Sequence, residues 1–205
     1  IDGENRYRTA DAIALEVIEI MGSGYDGVAF VATGSNFPDA LAAAPLAAAQ
    51  KWPLFLSDTA TGLSSQTVAA MADVNDALIL GGTAVVSPAV ESQLEGQLSG
   101  TVDRLYGPDR YATAVEVATY AVDEVGHTWD RVGITTGANF PDALAGGVLQ
   151  GKAGSVMLLT PSTALNPSTR TALVANKAEI QTVTFFGGLN AVTQAVRDAV
   201  ADALK

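Results

Sequence analysis

An eight-residue segment occurs twice in this chain, as Gly34-Ser35-Asn36-Phe37-Pro38-Asp39-Ala40-Leu41 and as Gly137-Ala138-Asn139-Phe140-Pro141-Asp142-Ala143-Leu144, with seven of eight positions identical. An apolar, β-branched run precedes each copy and an alanine-rich run follows it. That pattern predicts strand, tight loop and helix. Pro38 and Pro141 suit the first helical turn, where a missing N–H costs nothing. Asn36 or Phe37 is then expected to cap the helix, and Asp39 to face its dipole from the first turn. In an open parallel sheet, ligands bind beyond the carboxyl ends of the strands. The loop therefore lies where a site is expected, and it lies there twice.

Two further motifs repeat in the same order. Gly3-Glu4-Asn5-Arg6-Tyr7-Arg8-Thr9-Ala10 returns as Gly107-Pro108-Asp109-Arg110-Tyr111-Ala112-Thr113-Ala114, and Gly81-Gly82 returns as Gly187-Gly188. Three motifs at near-constant spacing indicate a tandem duplication. We expect copy one over residues 1–100 and copy two over 101–205.

Each copy reads as alternating helices and strands. For copy one the pattern predicts a helix over 7–21, a strand over 28–33, a helix over 38–50, a strand over 53–57, a polar loop, a helix over 64–71, a strand over 77–80 and a helix from 87 to 98. Ser87 and Thr193 are expected to cap the last helix of each copy. Residues 101–105 form a further strand between the copies. Its counterpart before Gly3 is almost entirely absent, as if the chain were cut in register from a longer array, or as if its end strands paired unusually. Alternating strands and helices mean an α/β fold with mostly parallel sheets flanked by helices.

Several residue types suggest chemistry. Arg6 and Arg110 open helices and carry a planar, always charged fork suited to carboxylate or phosphate. Either they pair with Asp39 and Asp142 and tie the first helix to the repeated loop, or they contact an anionic ligand. Tyr7 and Tyr111 either stack on a sugar or pack with bonded hydroxyls. Asn36 and Asn139 suit a sugar hydroxyl or a local turn. Gly81, Gly82, Gly187 and Gly188 either offer amides to an anion or simply allow a tight turn.

Other chemistry has little support. The chain has no cysteine and one histidine, His127. No P-loop lysine, G-x-G-x-x-G, nucleophile elbow or metal-spacing cluster occurs. We expect no catalysis, no metal and no cofactor. A net charge of -11 argues against nucleic acid as a partner. No apolar run is long enough for membrane insertion. The start at Ile1 is mid-pattern, which is compatible with a removed targeting segment.

The three motifs together resemble the bacterial cell-wall-binding repeat of the second type, found in clostridial surface-layer and cell-wall proteins. The matching stretches are Gly3 to Ala10, Gly34 to Leu41 and Leu80 to Ser87, then Gly107 to Ala114, Gly137 to Leu144 and Phe186 to Thr193. The resemblance implies Rossmann-like or Toprim-like repeats. It implies a secreted, surface-located module that anchors non-covalently to a wall polymer, an anionic secondary polysaccharide of teichoic-acid type. Family members usually carry three repeats packed as a pseudo-trimer, so a third repeat or a homo-oligomer is an expected partner. Contact with a polyanion would fall to local arginines such as Arg6, Arg8, Arg104 or Arg110, or to bridging cations, because the body of the protein repels it, and a neutral glycan would remove that difficulty. The alternatives are a self-association module of a surface protein and a carbohydrate-active enzyme using Asp39 or Asp142.

Overall fold

The computed structural model describes residues 1–58 and 62–205. Part of the polar loop expected after the second strand of copy one lies outside the described residues. The chain forms two compact units: Ile1–Phe37 with Gln50–Leu105, and Pro38–Ala49 with Tyr106–Lys205.

In the first unit, α1 (Arg6–Met21) leads through a short turn of 3-10 helix to β1 (Val28–Thr33). The unit continues with β2 (Leu54–Ser57), α4 (Ser65–Ala70), β3 (Asp76–Leu80), α5 (Pro88–Gln97) and β4 (Val102–Leu105). Among the described residues its sheet has the order β2-β1-β3-β4, and every pairing is parallel. Parallel strands joined by helices are covered on both faces, which is why β1 reads as a nearly unbroken apolar run. Phe30, Val31, Phe55 and Ile79 are fully buried. Burying each such side chain contributes about 1.5–3 kcal/mol. Trp52 meets Phe30 edge to face at 5.6 Å and donates its indole N–H to Asp26 Oδ2 at 2.8 Å.

The second unit holds α2 (Pro38–Ala42), α3 (Ala44–Gln50, up to Ala49), α6 (Arg110–Asp123), β5 (Thr128–Thr136), α7 (Pro141–Lys152), β6 (Ser155–Thr160), α8 (Pro167–Ala175), β7 (Thr182–Phe186) and α9 (Gln194–Ala203). Its parallel sheet has the order β6-β5-β7 among the described residues. Ile134, Leu158, Leu159 and Val196 are fully buried there.

The compact units do not follow a division at residue 100. Residues 101–105 belong to the first unit, because β4 pairs with β3, Leu80 opposite Leu105. Pro38–Ala49 belongs to the second, because Leu41 and Leu46 are buried and the α7 glycines admit α3 closely. A Cβ on Gly147 would collide with Ala44, and one on Gly151 would collide with the Pro45 carbonyl oxygen. Glycine is needed where another backbone approaches this closely.

Two local expectations change and one is narrowed. The helix expected over 38–50 is two helices broken at Ala43. Pro45 supplies no N–H and crowds the carbonyl one turn back. Copy two has Val148 at that place, and α7 runs unbroken. Of the two cap candidates the phenylalanine takes the position in copy two, where Phe140 stands before α7 and makes no side-chain capping bond. The Oδ1 atoms of Asn36 and Asn139 accept the amides of Phe37 at 3.0 Å and Phe140 at 2.9 Å. Ser87 and Thr193 occupy the cap positions of α5 and α9, but their side chains make no capping bond. Side-chain caps are found at α1, α4, α6 and α8. Asn5 Oδ1 accepts from the amides of Tyr7 and Arg8, and Asp109 Oδ1 accepts from those of Tyr111 and Ala112.

Candidate functional site

The repeated loops leave the carboxyl ends of β1 and β5, each met by the helix that opens its copy. In the first unit, Arg6 Nη1 donates to Gly34 O at 2.7 Å. The Tyr7 ring lies directly over Gly34, where a Cβ would strike it. In the second unit, Arg110 Nη1 donates to Gly137 O at 2.8 Å, and a Cβ on Gly137 would meet Tyr111 Cε1 at 2.8 Å. The motif thus works as a latch. The arginine takes the loop carbonyl, and the tyrosine ring requires the loop residue beneath it to be glycine.

The aspartates are placed differently from each other. Asp39 lies in the second unit, half-buried, with the Thr113 hydroxyl as its hydrogen-bond partner and the Arg110 charge nearby. Burial raises its pKa above the usual carboxylate range, and the Thr113 bond and then the Arg110 charge partly offset that rise. The arginine beside Asp39 is therefore Arg110 of the other copy. Asp142 stands over the second glycine turn, its Oδ2 2.5 Å from where a Gly187 Cβ would lie. The structure brings together Arg110, Tyr111, Gly137, Thr113 and Asp39 around one loop. It leaves Asn36 and Asn139 exposed on the loop rims.

The glycine pairs are tight turns with committed backbone groups. Gly81 and Gly187 have φ of 101° and 104°, a region that L side chains avoid. Gly81 N–H donates to Leu105 O at 2.9 Å, and the carbonyls of Gly82 and Gly188 accept from the turns that follow them. Arg104 seals the first turn. Its Nη1 donates to Gly81 O at 2.8 Å and Val86 O at 3.0 Å, and its Nη2 meets Glu91 Oε2 at 2.9 Å. Arg8 is equally committed, to Asp11 at 2.9 Å, Ser64 at 2.7 Å and Thr67 at 2.6 Å. Arg104, 7% exposed at its side chain, is an internal pin, whereas Arg8 is held by these bonds and also lines a cavity of about 180 Å³ with Asn5 and Tyr7. Arg6 is exposed at the start of α1, and Arg110 is half-buried. Among the described residues, no group of three or more His, Cys, Asp or Glu side chains converges as a metal site would.

Comparison with known proteins gives this doubled latch a context. The chain is 31% identical over 206 residues to the amidase enhancer of Bacillus subtilis (strain 168), covering 98% of this chain and 26% of that protein. It is 30% identical over 198 residues to N-acetylmuramoyl-L-alanine amidase LytC of the same organism, covering 96% of this chain and 37% of that one. The chain thus spans about a quarter to a third of the length of these curated relatives. Among solved structures it superposes on Cwp8 from Clostridium difficile with a TM-score of 0.78 at 25% identity, over 98% of this chain and 33% of that one. Cwp6 from the same organism shares the fold, with a TM-score of 0.81 at 21% identity, over 98% of this chain and 31% of that one. Both latches and both glycine turns fall within the matches to cell wall binding domain 2, at residues 1–91 and 104–197, and the chain belongs to that family.

Proposed function

We propose that this chain is a non-catalytic module that anchors a secreted bacterial protein to its cell wall by binding a wall-associated, anionic polysaccharide. The observation that carries the reading is family membership across both copies. Any catalytic work of the parent protein is placed outside these residues. The curated relatives named for amidase function are much longer, and the chain matches only 26% and 37% of them. Among the described residues, no helix is long and apolar enough to cross a membrane.

With a net charge of -11, long-range attraction to a polyanion is absent. A Debye length of about 8 Å at physiological salt lets Arg6 or Arg110 act locally. Arg6, exposed and bonded through Nη1 to Gly34 O, is the stronger candidate for an anionic group. Tyr7 and Asn36 in the first unit, and Tyr111 and Asn139 in the second, supply hydroxyl and amide groups within their own units.

Co-sedimentation with purified cell walls, before and after acid stripping of the secondary polymer, tests the reading. Binding that disappears with the polymer and weakens with salt is the expected result. Binding that survives stripping would remove the polysaccharide from the proposal.

A second reading, self-association or docking of a third repeat, has its own observation. Leu144, Val148 and Leu149 on α7 are each more than half exposed, whereas their copy-one counterparts Leu41 and Leu46 are buried. An apolar stripe of that kind marks an interaction surface. Sedimentation velocity over a range of concentrations distinguishes a monomer from an assembly.

A further inference from the structure

The two copies differ most in chemistry between the opening helix and the helix before the glycine turn. In the first unit this is the α1–α4 seam, which Arg8 crosses beside a smaller cavity of about 180 Å³. Arg8 reaches from α1 to Ser64 and Thr67 on α4 while paired with Asp11, which is itself 6% exposed. In the second unit the matching residues are Ala112 for Arg8 and Val115 for Asp11. The charged pair is gone, and the α6–α8 seam is an open groove of about 460 Å³. Thr67 had served the pair as a hydrogen-bond partner of Asp11. Its counterpart Thr169 is turned instead to Leu159 O at 2.6 Å.

The groove has a defined character. Ala112, Val115 and Ala172 form its apolar part, and Ser168, Thr171 and Glu116 bring hydroxyls and a carboxylate. No lysine or arginine lines it. A phosphate or uronate would find an acid there and no cation. A neutral sugar ring presents an apolar C–H face and a circumference of hydroxyls, which matches small aliphatic side chains bordered by polar ones. The volume falls in the range of small-molecule sites, about 300–1,000 Å³. We propose that the α6–α8 groove of the second unit is a binding site for one neutral pyranose unit of a wall glycan, at a place where the first unit carries the charged pair Arg8 and Asp11 instead. The inference rests on the wall-polymer reading above and assigns the two copies unequal roles.

The first unit supplies its own test. The variant Ala112→Arg with Val115→Asp installs in the second unit the charged pair that the first unit already accommodates. Methyl chemical shifts of Ala112, Val115 and Ala172 in the parent and in Ala175→Leu, and of Ala172 alone in the double variant, which lacks the other two methyls, are followed during titration of the whole chain with N-acetylglucosamine, glucose and glycerol phosphate. The neutral sugars are expected to shift these methyls saturably, and glycerol phosphate to leave them in place. Ala175→Leu narrows the groove from the α8 side without adding charge, so it covers the case in which the double variant does not fold. Either folded variant should weaken sugar binding by about tenfold or more.

Shifts that are absent, scattered over the surface, unchanged in the folded variants, or stronger with glycerol phosphate would overturn the proposal. Wall co-sedimentation of the same proteins separates the two readings. A folded double variant that sediments with walls like the parent, alongside unshifted groove methyls, removes the groove and leaves wall anchoring in place. Loss of wall binding by the parent chain removes anchoring, whatever the groove binds.

Discussion

Arg197 Nη2 donates to Gly187 O at 3.0 Å. The matching carbonyl of the first unit, Gly81 O, accepts from Arg104 instead. The second carbonyl of each turn follows the same rule, Val86 O taken by Arg104 and Val192 O by Arg197 Nε. Arg104 comes from a strand and Arg197 from a helix, so the two copies satisfy the same turn from different elements. A glycine held at positive φ leaves its carbonyl pointing into a pocket that needs a donor, and arginine can serve two carbonyls at once.

These two arginines should differ in cost. Arg104 is 7% exposed at its side chain and also pairs with Glu91. Arg104→Ala leaves a carboxylate and two carbonyls unmatched and should lower the unfolding free energy by about 3 kcal/mol. Arg197 bonds neutral carbonyls and lies 4.9 Å from the centre of the Phe185 ring. Its alanine variant should cost about 1–2 kcal/mol. Urea denaturation of both variants measures the difference, and equal losses would contradict this ranking.

The latch glycines make a second prediction. Gly34→Ala pushes a methyl into the Tyr7 ring, and Gly137→Ala meets Tyr111, while a Cβ on Gly188 meets nothing within 4 Å. The first two substitutions should each cost about 1–3 kcal/mol, and Gly188→Ala should be near neutral. Pairing Gly34→Ala with Tyr7→Ala should recover part of the loss in thermal melts. An additive double variant would mean that the ring is not the obstacle.

Much of this architecture was legible because the copies repeat both their periodicity and their punctuation. The strands at Val28–Thr33 and Asp76–Leu80 and the helices at Arg6–Met21 and Arg110–Asp123 follow from apolar runs and helical spacing. What escaped was long-range. Nothing local tells that Leu41 and Leu46 bury in the second unit, or that Asp39 faces Arg110 and Thr113. The expected Arg–Asp pairing within a copy was reasonable on chemistry, but it presumed that each copy folds on its own residues. The α1 and α6 caps are written in the local sequence. Asn5 and Asp109 stand immediately before Arg-Tyr, the place a capping residue occupies. The partners of Arg8 and Arg104 are not written in the local sequence, because an arginine that binds ligand looks the same there as one held by hydroxyls and a carboxylate, as Arg8 is, or by carbonyls, as Arg104 is.

The two latch arginines should also separate. Arg6 and Arg110 each hold a loop carbonyl, but Arg110 additionally faces Asp39. Arg110→Ala should destabilise the chain more than Arg6→Ala. A double-mutant cycle of Arg110→Ala with Asp39→Asn should return a coupling of about 1 kcal/mol. A cycle that returned no coupling would mean that Arg110 does not stabilise the Asp39 carboxylate. Wall binding by the folded single variants is read in the same proteins. Loss with Arg6→Ala at unchanged melting would support ligand contact.

The pH dependence of Asp39 has a definite sign. Burial raises its pKa, and the Thr113 hydrogen bond and the Arg110 charge offset only part of the rise. The folded state therefore holds this proton to higher pH than the unfolded chain, whose aspartates titrate near pH ~3.9. Where the native state binds more protons, stability falls as pH rises. The contribution is full below the unfolded value and is lost as pH climbs through the folded one. Asp11 moves in the same direction, because its burial outweighs the Arg8 charge and the Thr67 bond. Asp39→Asn removes one titration and leaves the other in place. The parent should thus be most stable relative to this variant at acid pH, and its advantage should shrink towards neutrality. Paired denaturation curves from about pH 4 to pH 7 span the window set by the free carboxylate value and the upward shift. A parent that gained on the variant as pH rose would mean that the attraction of Arg110 outweighs burial, and that the latch of the second unit is held by an ion pair.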